Sequence, residues 1–289
     1  AQDFSLELYT GAVLGSSRII GMGGASVAPA EGASAMSANP AAPGVRAEDS
    51  LDNWDWTFHL DIMTPSQSAD FDNNGRPEDE KALLGGGGAT LQYKEWALGF
   101  DARSVTRTQT PVGQDPTAVD QLLGSVQLAC SFWRDQIVVG VGARAGTLTV
   151  RSGDATLFEI NGSALETGMV WKPTDQAFRV GITGSLPVAG SNVQIVTPGC
   201  TPADCLGYRL PARVIVPWQI STGFAWRWGQ TPWNRRVDGF RDEPELTLAG
   251  DILLVGASDN AYGIEGFLAM DPQRVGISTT LSARAGIEY

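Results

Sequence analysis

The sequence predicts an all-β protein: a transmembrane antiparallel β-barrel with an N-terminal plug. Three observations predict it. From about Leu51 onward apolar residues recur at every second position in long runs, the period of a strand with one apolar face. No run of about 18 apolar residues exists, as a spanning helix would need, whereas barrel strands carry their apolar residues at alternate positions. The first forty-odd residues, by contrast, are dominated by Ala, Gly, Ser and Pro and hold neither a helical nor a strand period.

The bulk properties agree. A chain of 289 residues makes one large domain or two small ones. Its 35 glycines exceed the usual share of about 7%, and its 18% charged residues fall below the usual quarter. The net charge of −12 argues against a nucleic-acid partner, which needs clustered Lys and Arg. Ala1-Gln2-Asp3 is the kind of start left after cleavage at an A-x-A site, so a mature exported chain is expected, its signal peptide removed. Cys200 and Cys205 bracket Thr-Pro-Ala-Asp, and close spacing in a loop of an exported protein favours a disulfide. Cys130 falls on an apolar strand face and reads as packing.

The N-terminal stretch runs Arg18-Ile19-Ile20-Gly21-Met22-Gly23-Gly24-Ala25-Ser26 and continues to Ala38-Asn39-Pro40-Ala41-Ala42. Such composition also suits a flexible linker. Half of a dinucleotide fingerprint is a further reading, but that motif needs a following helix, which Pro29 and the glycines break. Gly-Met-Gly-Gly-Ala, then Ala-Ser-Ala, then Asn-Pro-Ala just before a strand resembles the N-terminal hatch of the FadL-type outer-membrane proteins. That superfamily holds the long-chain fatty-acid transporters and their PorV-like relatives. Residues 15–43 carry the resemblance at motif level; the rest of the chain resembles the family only as a strand pattern. It implies a hatch over residues 1–48, with Gly21, Gly23, Gly24, Asn39, Pro40 and Ala41 as its motif. The barrel would occupy residues 49–289, with about fourteen strands in the full protein.

Eleven strands are expected in this chain, near 52–63, 83–93, 96–107, 119–133, 136–151, 155–171, 177–190, 209–229, 244–259, 262–271 and 274–289. In the first, Trp54, Trp56, Phe58, Leu60 and Ile62 alternate with Asp55, Thr57, His59 and Asp61. The longest alternation runs from Val214 to Trp228. Trp218 and Trp228 lie ten residues apart, roughly 23 Å in height for a tilted strand, close to the roughly 25 Å apolar band of a membrane barrel. Connections such as Lys94-Glu95 and Arg134-Asp135 are tight, whereas 64–82, 108–118 and 190–208 are long. Short turns belong to the periplasmic side and long loops to the outside, which puts the plug at the periplasmic end. Eleven is odd, and single-chain bacterial barrels close on an even number. The expectation is therefore a barrel lacking its last strands.

Three chemical patterns stand out. Asp70, Asp72 and Asn74 alternate before Gly75 as in the opening of a calcium loop, with Glu80 one position early for the closing carboxylate; an acidic solvated loop tip is the other reading. No other cofactor is expected. His59 lacks the serine motif a hydrolase would require, so no enzyme is expected, and this histidine reads as a lumen residue near Asp55 and Asp61, hydrogen-bonded to carboxylates or to plug backbone. Arg103, Arg144, Arg179, Arg227 and Arg284 fall on lumen-facing positions. They would pair with lumen carboxylates such as Asp61, Asp101, Asp251 and Glu288, bind hatch carbonyls, or hold a fatty-acid carboxylate.

The resemblance implies an integral protein of the bacterial outer membrane that takes up hydrophobic compounds such as long-chain fatty acids. Its partners would be membrane lipid and a hydrophobic small molecule. The alternative is a PorV-like barrel that transports nothing and anchors a partner protein of a cell-envelope complex, with Trp233, Arg235 and Arg236 in a docking segment over 229–243.

Overall fold

The computed structural model describes residues 4–8, 15–64, 81–109, 116–191, 193–239, 242–268 and 273–289. In chain order its elements are β1 (Ser5–Glu7), helix α1 (Ser17–Gly21), β2 (Trp54–Met63), β3 (Lys81–Tyr93), β4 (Trp96–Gln109), β5 (Thr117–Phe132), β6 (Ile137–Ser152) and β7 (Ala155–Trp171). Then follow β8 (Phe178–Ser185), β9 (Val188–Gly190), β10 (Arg213–Val216), β11 (Gln219–Trp228), β12 (Leu246–Val255), β13 (Ala261–Gly263), helix α2 (Ile264–Leu268), β14 (Arg274–Val275) and β15 (Thr280–Glu288).

Ten of these strands form one continuous antiparallel wall, in the order β2-β3-β4-β5-β6-β7-β8-β11-β12-β15. The fold is all-β and the sheet is not closed, because β2 and β15 are its two edges. Helix α1 spans the interval between those edges. The Ser17 amide donates to Asp61 on β2 at 2.9 Å, and the next residue, Arg18, pairs with Glu288 on β15. The sheet therefore curls until its edges face one another across one short helix.

Period two sets the two faces of the wall. On β2 the side chains of Trp56, Phe58 and Leu60 are 66–77% exposed, and Thr57, His59 and Asp61 between them face the interior. The same outward apolar row continues through Trp96, Leu98 and Phe100 on β4, then Leu122, Val126, Leu128 and Phe132 on β5. A water-soluble barrel would put these inside. Aromatic residues crowd the end with the tight turns, where Trp54 packs on Tyr93, Trp171 on Phe178, and Trp226 on Phe178 and Trp228.

Four strand expectations are corrected; in one, residues 274–289 divide into β14, which pairs with β13, and β15, which pairs with β12. Residues 177–190 and 209–229 are each broken in two, at Leu186-Pro187 and Pro217-Trp218. Proline has no amide hydrogen for the ladder. The tryptophan spacing across 218–228 thus spans a break rather than one straight strand, and Trp218 is half-buried. Residues 262–271 do not supply a wall strand, since β12 pairs directly with β15. Without that strand the wall count is even, and β15 ends on the side of the tight turns.

Beyond the breaks, β9 stays paired with β7 and carries the sheet through β10 into a side branch of β1, β13 and β14, where β1 runs parallel to both β10 and β13. With α2 and the loop closed by the Cys200–Cys205 disulfide, this sheet caps the end with the long loops. Its apolar core includes Leu6, Phe158, Tyr208, Val214 and Phe267. Residues 15–50 fill the opposite end of the interior, and Ala25, Ala28, Ala30, Ala41 and Ala42 there are fully buried.

Candidate ligand cavity between plug and cap

The plug is fitted to the wall, and small residues on both sides make the fit. Gly23 and Gly24 hold φ of +59° and +80° after α1, a backbone region that side chains disfavour. A Cβ at Gly23 would also come within 2.8 Å of the Ala285 carbonyl. Gly21 has open space around it, so steric need explains two of the three motif glycines. The turn after Gly24 aims the Ser26 and Val27 amides at one carboxylate oxygen of Asp251, at 2.8 and 3.0 Å.

Asn39 is fully buried and bonds in three directions. Its Nδ2 donates to the carbonyls of Val27 and Met169 at 3.0 and 3.2 Å, and its Oδ1 accepts from the Ala41 amide at 3.0 Å. Pro40 contributes its fixed φ and its carbonyl, which lies against Gly140. Thr57, Gln127 and Gln92 add wall-to-plug bonds to the Ala33 amide and to the Met36 and Pro43 carbonyls.

Inward-facing glycines receive this packing. A Cβ at Gly140, Gly181 or Gly286 would stand 2.0–2.2 Å from a plug carbonyl, and at Gly168 it would stand 1.9 Å from Asn39 Oδ1. Strand parity marks these wall glycines as inward, but no local pattern tells which of them meet the plug. Asp251 and Asn39 likewise matter through bonds that no local pattern announces.

A cavity of about 270 Å³ separates plug from cap. Ile19, Val27 and Pro40 floor it, while Leu8, Leu148 and Val214 close it above. Arg103, Arg144, Arg284 and Glu166 reach it from the wall. Arg103 pairs with Asp101 at 2.8 Å. Glu166 accepts from Gln127 at 2.8 Å. Arg144 donates through one terminal nitrogen to the Leu186 carbonyl at 3.3 Å, and its Nε is buried with no hydrogen-bond partner. A buried donor without an acceptor is costly, and an anionic group in the cavity would supply one.

The other lumen candidates lie elsewhere. His59 bonds Asp61 at 2.6 Å through Nδ1 and faces Asp101 at 3.4 Å through Nε2, so its second carboxylate is Asp101 and not Asp55. Arg179 and Arg227 sit under the plug and pair with Glu31, Glu48 and Glu245 instead of the lumen carboxylates expected from parity. Glu288 takes its partner from the plug, Arg18. Asp70, Asp72, Asn74 and Glu80 lie outside the described residues. Among those described, no group of three or more His, Cys, Asp or Glu is arranged to hold a metal ion.

No protein-family model and no curated protein matches the sequence. Among solved structures the chain is similar to the crystal structure of a Pseudomonas aeruginosa FadL homologue, with 16% identity and a TM-score of 0.43, covering 88% of this chain and 70% of that one. At that level the likeness assigns no residue a role.

Proposed function

We propose that the chain is an integral outer-membrane barrel that takes up hydrophobic compounds bearing an anionic head, such as long-chain fatty acids. One observation carries the reading: a cavity with apolar floor and roof holds the guanidinium of Arg144, whose Nε is buried and unpartnered. The outward apolar rows and the aromatic crowd at one rim support membrane insertion, since aromatic girdles mark a barrel's interfaces. An open sheet edge cannot face lipid, so on this reading further strands join the two edges that α1 holds near each other. The head group would bind Arg144 by a charge-assisted bond and the tail would lie along Ile19, Val27 and Leu148. Onward passage requires the plug to shift, because its backbone is sealed against the wall below.

The density of plug-to-wall bonds favours the second reading, a barrel that stays shut and anchors a partner protein. In that case Arg235 and Arg236 lie at the surface, paired with Asp175 and Asp135, while Trp233 is enclosed and unable to dock. Mass spectrometry of the protein after mild detergent extraction separates the two. A stoichiometric amphiphile, lost in Arg144→Ala, is the expected result. A stoichiometric protein with no bound small molecule would replace transport by anchoring.

A further inference from the structure

We propose that the segment 229–239, between β11 and β12, is a strap that locks the plug, with Trp233 as its catch. Trp233 is fully buried, although it lies in a loop at the end of the barrel. Two guanidiniums approach its ring, Arg179 at 4.0 Å and Arg227 at 4.3 Å from the centroid. Trp233 belongs to one buried apolar cluster with plug residues Met22, Ala25 and Ala28 and wall residues Ala225 and Ala249. Arg179 is the hub. It donates to Glu31 at 2.7 Å and Glu48 at 2.8 Å, both in the plug, and to Asn234 of the strap at 2.9 Å. Asn234 in turn donates to the Pro173 and Phe178 carbonyls of the wall, and the Val237 amide donates to the Glu48 carbonyl at 3.1 Å.

The composition of the plug gives this arrangement its leverage. A plug of Ala, Gly and Ser fits closely but buries little apolar area per residue. Its retention therefore leans on polar bonds and on whatever covers it. Cation–π contacts gain strength when desolvated, as both are here. Withdrawing Trp233 opens the face of Arg179, and with it the pairs to Glu31 and Glu48. The strap thus sets how readily the plug moves.

This rests on the plug being a moving gate, and the test keeps the two ideas apart. Amide hydrogen exchange is followed on the purified full chain in detergent micelles, for the native protein, Trp233→Ala and Glu48→Gln. Residues 25–48 should exchange at least about tenfold faster in Trp233→Ala, with strands β4–β6 unchanged. Glu48→Gln, which leaves the tryptophan in place, should act in the same direction. If Trp233→Ala does not assemble, Glu48→Gln alone decides. Native-like exchange over 25–48 in the variants that assemble would overturn the strap. Uptake of a fatty acid by cells is measured alongside. Faster plug exchange with unchanged uptake supports the strap and overturns the gate.

Discussion

Arg18 and Glu288 form a two-pronged ion pair, Nε to Oε1 and a terminal nitrogen to Oε2, both at 2.9 Å. It joins the first helix of the plug to the last strand of the wall, one residue after Ser17 is bonded to the first wall strand. Paired hydrogen bonds to a carboxylate are stronger than neutral ones, but both side chains remain about one-third exposed, and exposure weakens such pairs. Glu288→Gln should lower stability by roughly 0.5–1 kcal/mol, read as a small fall in the thermal unfolding midpoint. An unchanged midpoint would mean that the plug does not tie the two edges.

The inward glycines should be far less tolerant than the outward ones. At Gly140 an added Cβ meets the Pro40 carbonyl at 2.0 Å, whereas at Gly124 its nearest neighbour is 3.7 Å away. Gly140→Ala should destabilise by about 1–3 kcal/mol through overpacking and loosen the plug, with Gly124→Ala close to native. Equal melting temperatures for the two variants would contradict the docked plug.

Asn39 should resist even its isosteric acid. Asn39→Asp replaces a donor to two carbonyls with a buried carboxylate facing them. Loss of both bonds and burial of an unpaired charge should remove several kcal/mol. Hydrogen exchange over residues 25–48 reports the loss, and native protection in that variant would refute the assignment.

Lys172, in the turn after β7, donates to the Arg46 carbonyl at 3.4 Å. Burial, then the charge of Arg179, push its pKa down to about 8, while Glu31, Asp135 and Glu48 pull the other way. A lysine with a lowered folded pKa opposes folding while protonated. That opposition is full below about pH 8 and fades up to the unfolded value near 10.4, where the unfolded chain binds more protons. Stability should therefore rise across this window by on the order of 3 kcal/mol. Lys172→Met should flatten the rise, and a native profile that falls between pH 8 and 10 would contradict the sign.

The wall was legible because its signal is local: period two over 13 to 17 residues survives in β3 to β7. The cap was not. Its strands are two to four residues long, and β1 meets β10 across about two hundred residues, a pairing that no window contains. Residues 262–271 suggest a strand, although Ile264, Phe267 and Leu268 follow helical spacing, and they are the buried face of α2. Among the arginines that parity turns inward, Arg103 meets one of the expected carboxylates, Asp101, but others do not. Arg179 and Arg227 meet plug carboxylates and Trp233, which only the folded chain assembles.

Tryptophan fluorescence tests membrane insertion directly. Of the nine tryptophans, seven are exposed on the described protein and Trp233 is enclosed. The protein is reconstituted into vesicles whose phospholipids carry bromine at chosen depths. Strong quenching by bromines near the head groups is expected, with a residual emission that disappears in Trp233→Phe. Emission that bromine leaves unquenched at every depth would contradict the barrel's place in a membrane.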